Sequence, residues 1–333
     1  MAPMNLIDWR KEKILITGGT GLIGKNLTSR LKSMGLEVVS IGRTKGNNRY
    51  DLKDQQEVRK VFDYFQPKVV FHLAARVGGI YANVSQKSDF YLDNTLINTN
   101  VIGEVQKREI PFVFAMGTGC AYPKRLENQI LFEETLLDGV PEITNDSYAY
   151  SKRNLLVHLK SCAENASLRY IYCIPANIYG PYDNFHPLFS HVVPGLIIKF
   201  LIARENKSPK VRIWGSGKAK RDFLYIDDLI DAIILLCDSY KKSDAVNVAS
   251  GQLTSIEALG HIIKKITGYE SEIDYDLDYP EGQKQRIFHT GKINSIGWEP
   301  RYSLEDGIAE TVHWCLQNPL WWRNQDWFRL LES

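Results

Sequence analysis

Residues 13–24 read KILITGGTGLIG, and this stretch decides the fold. Its first five residues suit a strand buried on both faces, while Leu22 to Met34 continues with helical spacing. The glycines between them permit a tight turn, let backbone approach a ligand and allow the helix to pack closely on the sheet. Unpaired N–H groups and the helix dipole make such a terminus a seat for a pyrophosphate. Gly18, Thr20, Gly21, Leu22, Ile23 and Gly24 are therefore expected to contact a dinucleotide. A glycine-rich turn alone would be weak grounds; the strand before it and the helix after it give it force.

Outward from this turn, apolar runs alternate with helical patterns. Strands are expected at Glu37 to Ile41, Val69 to Leu73, Pro111 to Ala115 and Arg169 to Ile174. Helices are expected over Gln55 to Phe65, Tyr91 to Lys107 and Tyr148 to Glu164. Repeated strand-helix-strand units predict an α/β fold, a Rossmann-type doubly wound parallel sheet. After Asn177 the pattern changes. Tyr179 to Phe189 reads as a loop, and helices over Ser255 to Thr267 and Gly307 to Gln317 alternate with short strands. The expected division is a dinucleotide-binding domain of residues 10–178, with 225–250 returning to it. Residues 179–224 and 251–333 would form a smaller, mostly C-terminal substrate lobe.

Composition bounds the function. Hydrophobic residues make up 44% and charged residues 24% of the 333, which argues against disorder. Lys+Arg 41 against Asp+Glu 39 leaves a net charge of +2, so neither nucleic acid nor a membrane surface is expected as partner. Met1 to Asp8 is too short and too acidic for a secretory signal. Runs such as Ala232 to Cys237 fall well short of the roughly 20 residues that span a bilayer. A cytoplasmic protein is expected. Cys120, Cys162, Cys173, Cys237 and Cys315 are odd in number, widely spaced and without a CxxC pair. They fit free thiols better than disulfides, and no metal site is expected.

The second strand runs into Ser40-Ile41-Gly42-Arg43-Thr44-Lys45, where an NAD site usually carries an acid for the ribose 2′-OH. None is present. Arg43, with Lys45, would meet a 2′-phosphate instead, so NADP(H) is the expected cofactor.

Tyr148-Ala149-Tyr150-Ser151-Lys152 is the second anchor. Four-residue spacing puts Tyr148 and Lys152 on one helix face, a turn apart. A free phenol, with a pKa of about 10, is a poor acid or base at neutral pH. A neighbouring ammonium and the positive nicotinamide are both expected to favour the phenolate, so that Tyr148 can exchange a proton with an alcohol oxygen while hydride moves at the carbon.

TGGTGLIG, HLAA (His72 to Ala75) and Tyr148-xxx-Lys152 together resemble the extended short-chain dehydrogenase/reductase family. Within it the chain is similar to NADPH-dependent epimerase-reductases of GDP-4-keto-6-deoxy sugars. The likeness extends through Ala74 to Ile80 with Ala82-Asn83, Cys120 to Lys124, Asn177 to Pro187, Ser190 to Pro194, Trp214 to Gly217 and Arg221 to Asp228. It implies that Cys120 and His191 move protons at the carbons flanking the 4-ketone. Tyr148 and Thr118 would donate to the enolate oxygen, and hydride would then reach C4. It implies a GDP-sugar substrate held by Asn177, Asn184, Lys199, Trp214 and Arg221. Cofactor contacts from Asp51, Leu52, Ala74, Ala75, Lys152 and Asn177 would join those of the glycine turn, and two helices per subunit would build a homodimer.

Taken without that likeness, Cys120, His191 and Trp214 would each read as an ordinary buried residue. The chain also departs from the family. Gly117-Thr118-Gly119-Cys120 stands where Gly-Ser-Ser-Cys is usual, and Gly119 is expected to leave extra room beside the sugar. Lys199 replaces a common arginine and forfeits a bidentate phosphate fork. These changes leave room for an enzyme that only epimerises or only reduces, or that acts on a related sugar such as a heptose. A 4,6-dehydratase would need an Asp-Glu pair where Gly119-Cys120 stands. An NAD-retaining 4-epimerase fits poorly with Arg43 and Cys120, and a non-catalytic dinucleotide sensor fits poorly with an intact Tyr-Lys pair.

Overall fold

β1 (Ile14–Thr17) is buried at every residue, as a strand covered by helices on both faces must be. The computed structural model describes residues 7–43, 48–165, 168–279 and 283–323. Following β1 come α1 (Leu22–Ser33), β2 (Val38–Ile41), α2 (Gln55–Phe65), β3 (Val69–His72), α3 (Ile80–Ser85), α4 (Lys87–Lys107) and β4 (Phe112–Met116). Next are β5 (Ile130–Leu131), α5 (Asp146–Asn165), β6 (Arg169–Pro175), β7 (Asn177–Tyr179), α6 (Val192–Glu205), β8 (Lys210–Trp214) and β9 (Lys220–Tyr225). The chain continues through α7 (Ile226–Ser239), β10 (Asp244–Val248), β11 (Leu253–Ser255), α8 (Ile256–Thr267), β12 (Glu272–Asp276), β13 (Ile287–Phe288), α9 (Gly291–Asn294) and α10 (Leu304–Gln317).

Six strands form the central sheet in the order β10-β6-β4-β3-β1-β2, every neighbouring pair parallel. From β1 the chain steps to one side for β2 and to the other for β3. Strand order therefore reverses between β1 and β3, and ligands of such sheets sit outside the carboxyl ends of the strands at that point. β10 brings residues 244–248 back to the sheet edge beside β6. The other strands make small sheets: β7 parallel to β9 with β11 antiparallel on its far side, β8 with β12, and β5 with β13.

Most expected elements appear within a few residues. α10 begins at Leu304 rather than Gly307 because the Ser303 hydroxyl accepts the Asp306 N–H at 3.1 Å and caps the helix there. Tyr179 closes β7 instead of opening a loop. α6 had no helical signature in the sequence, since its residues from Val193 to Ala203 are nearly all buried and present no polar face.

Candidate active site

One cleft of about 1030 Å³ opens along the carboxyl ends of β1, β3 and β4 and is closed from the other side by α6, β8 and the segment 283–288. At its floor lies the glycine turn. Gly18 has φ +74°, and a Cβ there would sit 2.8 Å from Ala74 N. A Cβ at Gly24 would overlap the Gly18 carbonyl. Both positions need glycine, one for backbone conformation and one for the contact of α1 with the turn. α1 starts at the N-cap Gly21, which has no capping side chain, and its first turn carries no acid. Its leading N–H groups are thus offered to an anion in the cleft.

Behind the turn runs a buried chain of hydrogen bonds. Thr17 Oγ1 accepts from Leu73 N and Ala74 N, each at 3.2 Å, and bonds His72 Nδ1 at 2.9 Å. His72 Nε2 meets Asn98 Oδ1 at 2.9 Å, and Asn98 Nδ2 donates to Ser151 O at 3.1 Å. Because Asn98 Oδ1 can only accept, Nε2 carries the proton and Nδ1 accepts from the threonine hydroxyl. Burial, aided by the charge of Lys152, pulls His72 down to about 4 and keeps it neutral. This relay links the phosphate turn to α5, the helix that bears Tyr148 and Lys152.

Lys152 is buried, and its Nζ donates to Met116 O at 2.8 Å at the end of β4. Burial lowers it to about 8. Nζ lies 5.9 Å from the Tyr148 ring centre. The expectation that this ammonium would pull the phenol down is corrected here. Desolvation raises Tyr148, and the Cys120 side chain adds to the rise.

Thr118 Oγ1 accepts from Cys120 N at 3.2 Å, which fixes the short turn carrying the cysteine. Cys120 Sγ receives Asn145 Nδ2 at 3.3 Å and Arg286 Nη1 at 3.4 Å. Neither partner emerged from the sequence. Asn145 stands three residues before Tyr148, where a helix-entry polar residue was a usable signal, but Arg286 is 166 positions from Cys120 and gave none. The other four cysteines are buried, with burial raising each thiol.

His191 precedes α6 and opens onto the cleft, where crowding by protein lowers its pKa. Lys199 of α6 donates to Arg212 O at 3.1 Å, lies 4.5 Å from the Trp214 ring centre and is lowered by burial to about 8. Trp214 stacks on Tyr279 with ring centres 4.4 Å apart. Asn177, Asn184 and Arg221 line the same cleft, as do Arg43, Asp51, Leu52, Ala74, Ala75 and the glycine turn. Every candidate catalytic, cofactor-binding and substrate-binding residue named from the sequence thus lines one cleft except Lys45, which lies outside the described residues. The room expected at Gly119 is absent. The Phe288 ring fills it, its Cζ only 2.6 Å from where a Cβ would stand.

Residues 14–249 match the NAD dependent epimerase/dehydratase family. The chain belongs to this family. Among relatives, GDP-L-fucose synthase 1 of Arabidopsis thaliana is 35% identical over 312 residues, covering 93% of this chain and 94% of that protein. A GDP-L-fucose synthetase from Naegleria fowleri solved with NADP superposes with a TM-score of 0.83 at 28% identity, covering 93% and 96% of the two chains. A GDP-mannoheptose C4 reductase from Campylobacter jejuni with NADP bound gives 0.81 at 29% identity, covering 92% and 98%. For a family defined by a nicotinamide dinucleotide, the glycine cradle and the uncapped start of α1 are a good fit. Among the described residues no helix is long and apolar enough to cross a membrane.

Proposed function

We propose that the chain is an NADPH-dependent epimerase/reductase of a GDP-4-keto-6-deoxy sugar. The observation that carries this reading is the meeting, in one cleft, of Cys120 and His191 with Tyr148 and Lys152. Two independent proton-moving pairs suit a reaction with two kinds of step, and a simple reductase needs only the second pair. Relatives named for GDP-sugar synthesis and reduction, two of them solved with NADP bound, support the substrate and cofactor classes.

Protons on carbons beside a ketone are acidic because the resulting enolate spreads its charge onto oxygen. Cys120 Sγ, faced by the Arg286 guanidinium, takes such a proton, and the imidazole of His191 returns one to the other face of the carbon. The Tyr148 hydroxyl and Thr118 Oγ1 donate to the ketone oxygen while it carries charge. A phenol kept protonated by burial is suited to that donation. It then gives its proton to the C4 oxygen, and Lys152, anchored on Met116 O, places its charge behind it. NADPH, when bound, would supply the hydride for C4. Gly18, Thr20, Gly21, Leu22, Ile23 and Gly24 would hold its phosphates, and Arg43 would meet the 2′-phosphate. Asp51, Leu52, Ala74, Ala75 and Asn177 complete the cofactor wall. Asn184, Lys199, Trp214 and Arg221 hold the nucleotide-sugar.

In this scheme residues 10–178 with 225–250 serve the cofactor, and 179–224 with 251–333 serve the sugar. The outer faces of α4 and α5 expose Tyr91, Leu92, Leu96 and Val157, an apolar strip that suits a homodimer in the cytoplasm. The test is incubation with GDP-4-keto-6-deoxymannose and NADPH in D2O, following cofactor absorbance and product mass. The expected result is NADPH oxidation with deuterium at both flanking carbons. Deuterium without oxidation would identify an epimerase alone, oxidation without deuterium a C4 reductase alone, and neither signal would overturn the substrate.

A further inference from the structure

Position 119 has no side chain, and the space one would need is taken. A Cβ there would lie 2.6 Å from Phe288 Cζ and 3.1 Å from Cε1, closer than packed carbons tolerate. The backbone that carries the ring is held in place. Phe288 pairs with Leu131 across β13 and β5, and His289 N donates to Leu131 O at 3.1 Å. Asn247 Nδ2 donates to both Leu131 O and His289 O, at 2.9 and 3.0 Å. Tyr122 stands edge-on to the ring, 6.1 Å between centres, and its own hydroxyl donates to Asn247 Oδ1 at 2.8 Å. Held this way, Phe288 shares the cleft lining with Gly119 and Cys120, two residues along the chain from the arginine that touches Cys120 Sγ.

We infer that Phe288, seated in the space left by Gly119, is a specificity-determining residue for the sugar's side chain. It admits a methyl group beside the carbon that Cys120 treats and rejects a longer, hydroxylated extension. The inference rests on the proposed reading of the cleft. A serine at 119 would offer a hydroxyl to a polar substituent, whereas an aromatic face offers none. A substrate hydroxyl pressed on it gives up water without replacement, while a methyl gains apolar burial. The ring is carried on a paired strand, with Tyr122 edge-on to it, so its place beside Gly119 is set by the fold.

Wild type, Phe288→Ala, Gly119→Ser and the double variant Gly119→Ser/Phe288→Leu are compared on two GDP-4-keto sugars. One ends in a methyl at C6 and the other is extended there by a hydroxymethyl group. NADPH oxidation gives kcat/KM, and NADPH Kd reports that the fold is intact; Phe288→Leu replaces the alanine variant if that one fails to bind cofactor. Wild type is expected to favour the methyl sugar about tenfold or more. Phe288→Ala is expected to bring the two within about threefold, at unchanged NADPH Kd. Gly119→Ser alone is expected to slow both, with recovery in the double variant. An unchanged preference in the Phe288 variants with cofactor binding intact, or full activity of Gly119→Ser alone, would overturn the inference and leave the functional reading standing. Wild type that binds NADPH but consumes neither ketone would overturn both.

Discussion

His72→Gln removes the one titrating group of the buried relay while keeping a side-chain N–H for Asn98 Oδ1. In the folded chain burial, reinforced by Lys152 and opposed by the bond to Asn98, holds His72 at about 4, against an ordinary 6.5. The unfolded chain therefore binds one proton more than the folded chain between those values. Stability contributed by the neutral ring is complete above about pH 6.5 and is lost as pH falls through about 4. Each pKa unit is worth about 1.4 kcal/mol, so going from pH 7 to pH 5 costs wild type about 2 kcal/mol through this residue. The full loss below pH 4 is roughly 3 kcal/mol. His158, His186 and His191 are also held below their ordinary value by burial, so the wild-type slope alone is ambiguous. The difference between the two proteins isolates His72. Urea denaturation at pH 7, 6 and 5 should find the variant less stable at pH 7, with the gap narrowing by about 2 kcal/mol at pH 5. A gap of constant size across that range would refute the assignment of His72 as a neutral, buried link.

Other outcomes follow from the same geometry. Gly24→Ala drives a methyl into the Gly18 carbonyl and should weaken NADPH binding, read by calorimetry, by about tenfold or more with helix content unchanged. Arg43→Ala should raise the KM for NADPH by about tenfold and leave that for NADH nearly unaltered, since only the former carries a phosphate for the guanidinium. Lys199, held at about 8, sheds its charge as pH rises through that value, where an exposed lysine would keep it. The KM for the GDP-sugar should therefore rise between pH 7 and 9, and Lys199→Gln should flatten that profile.

The parts legible in the sequence are those set by local chemistry. Gly18 and Gly24 announce the phosphate turn because backbone conformation and close contact admit nothing larger, whatever surrounds them. Tyr148 and Lys152 announce a shared face because helical repeat alone brings positions four apart together. The alternation of apolar runs and helical spacing in the first half predicts a parallel sheet because each strand must be covered on both faces. α6 escaped notice for the converse reason, since a helix buried all round keeps no polar periodicity.

Tertiary structure decided what depends on distant chain segments and on solvent. Arg286 reaches Cys120, and Phe288 occupies the space beside Gly119, only because β13 pairs with β5; no local pattern encodes a contact across so many residues. The rise of Tyr148 where a fall was expected has the same origin. A charge four positions away is visible in the sequence, but the desolvation that raises the phenol is created by the segments packed around it. Sequence names the groups that can do the chemistry, and packing sets their protonation and the shape of what they act on.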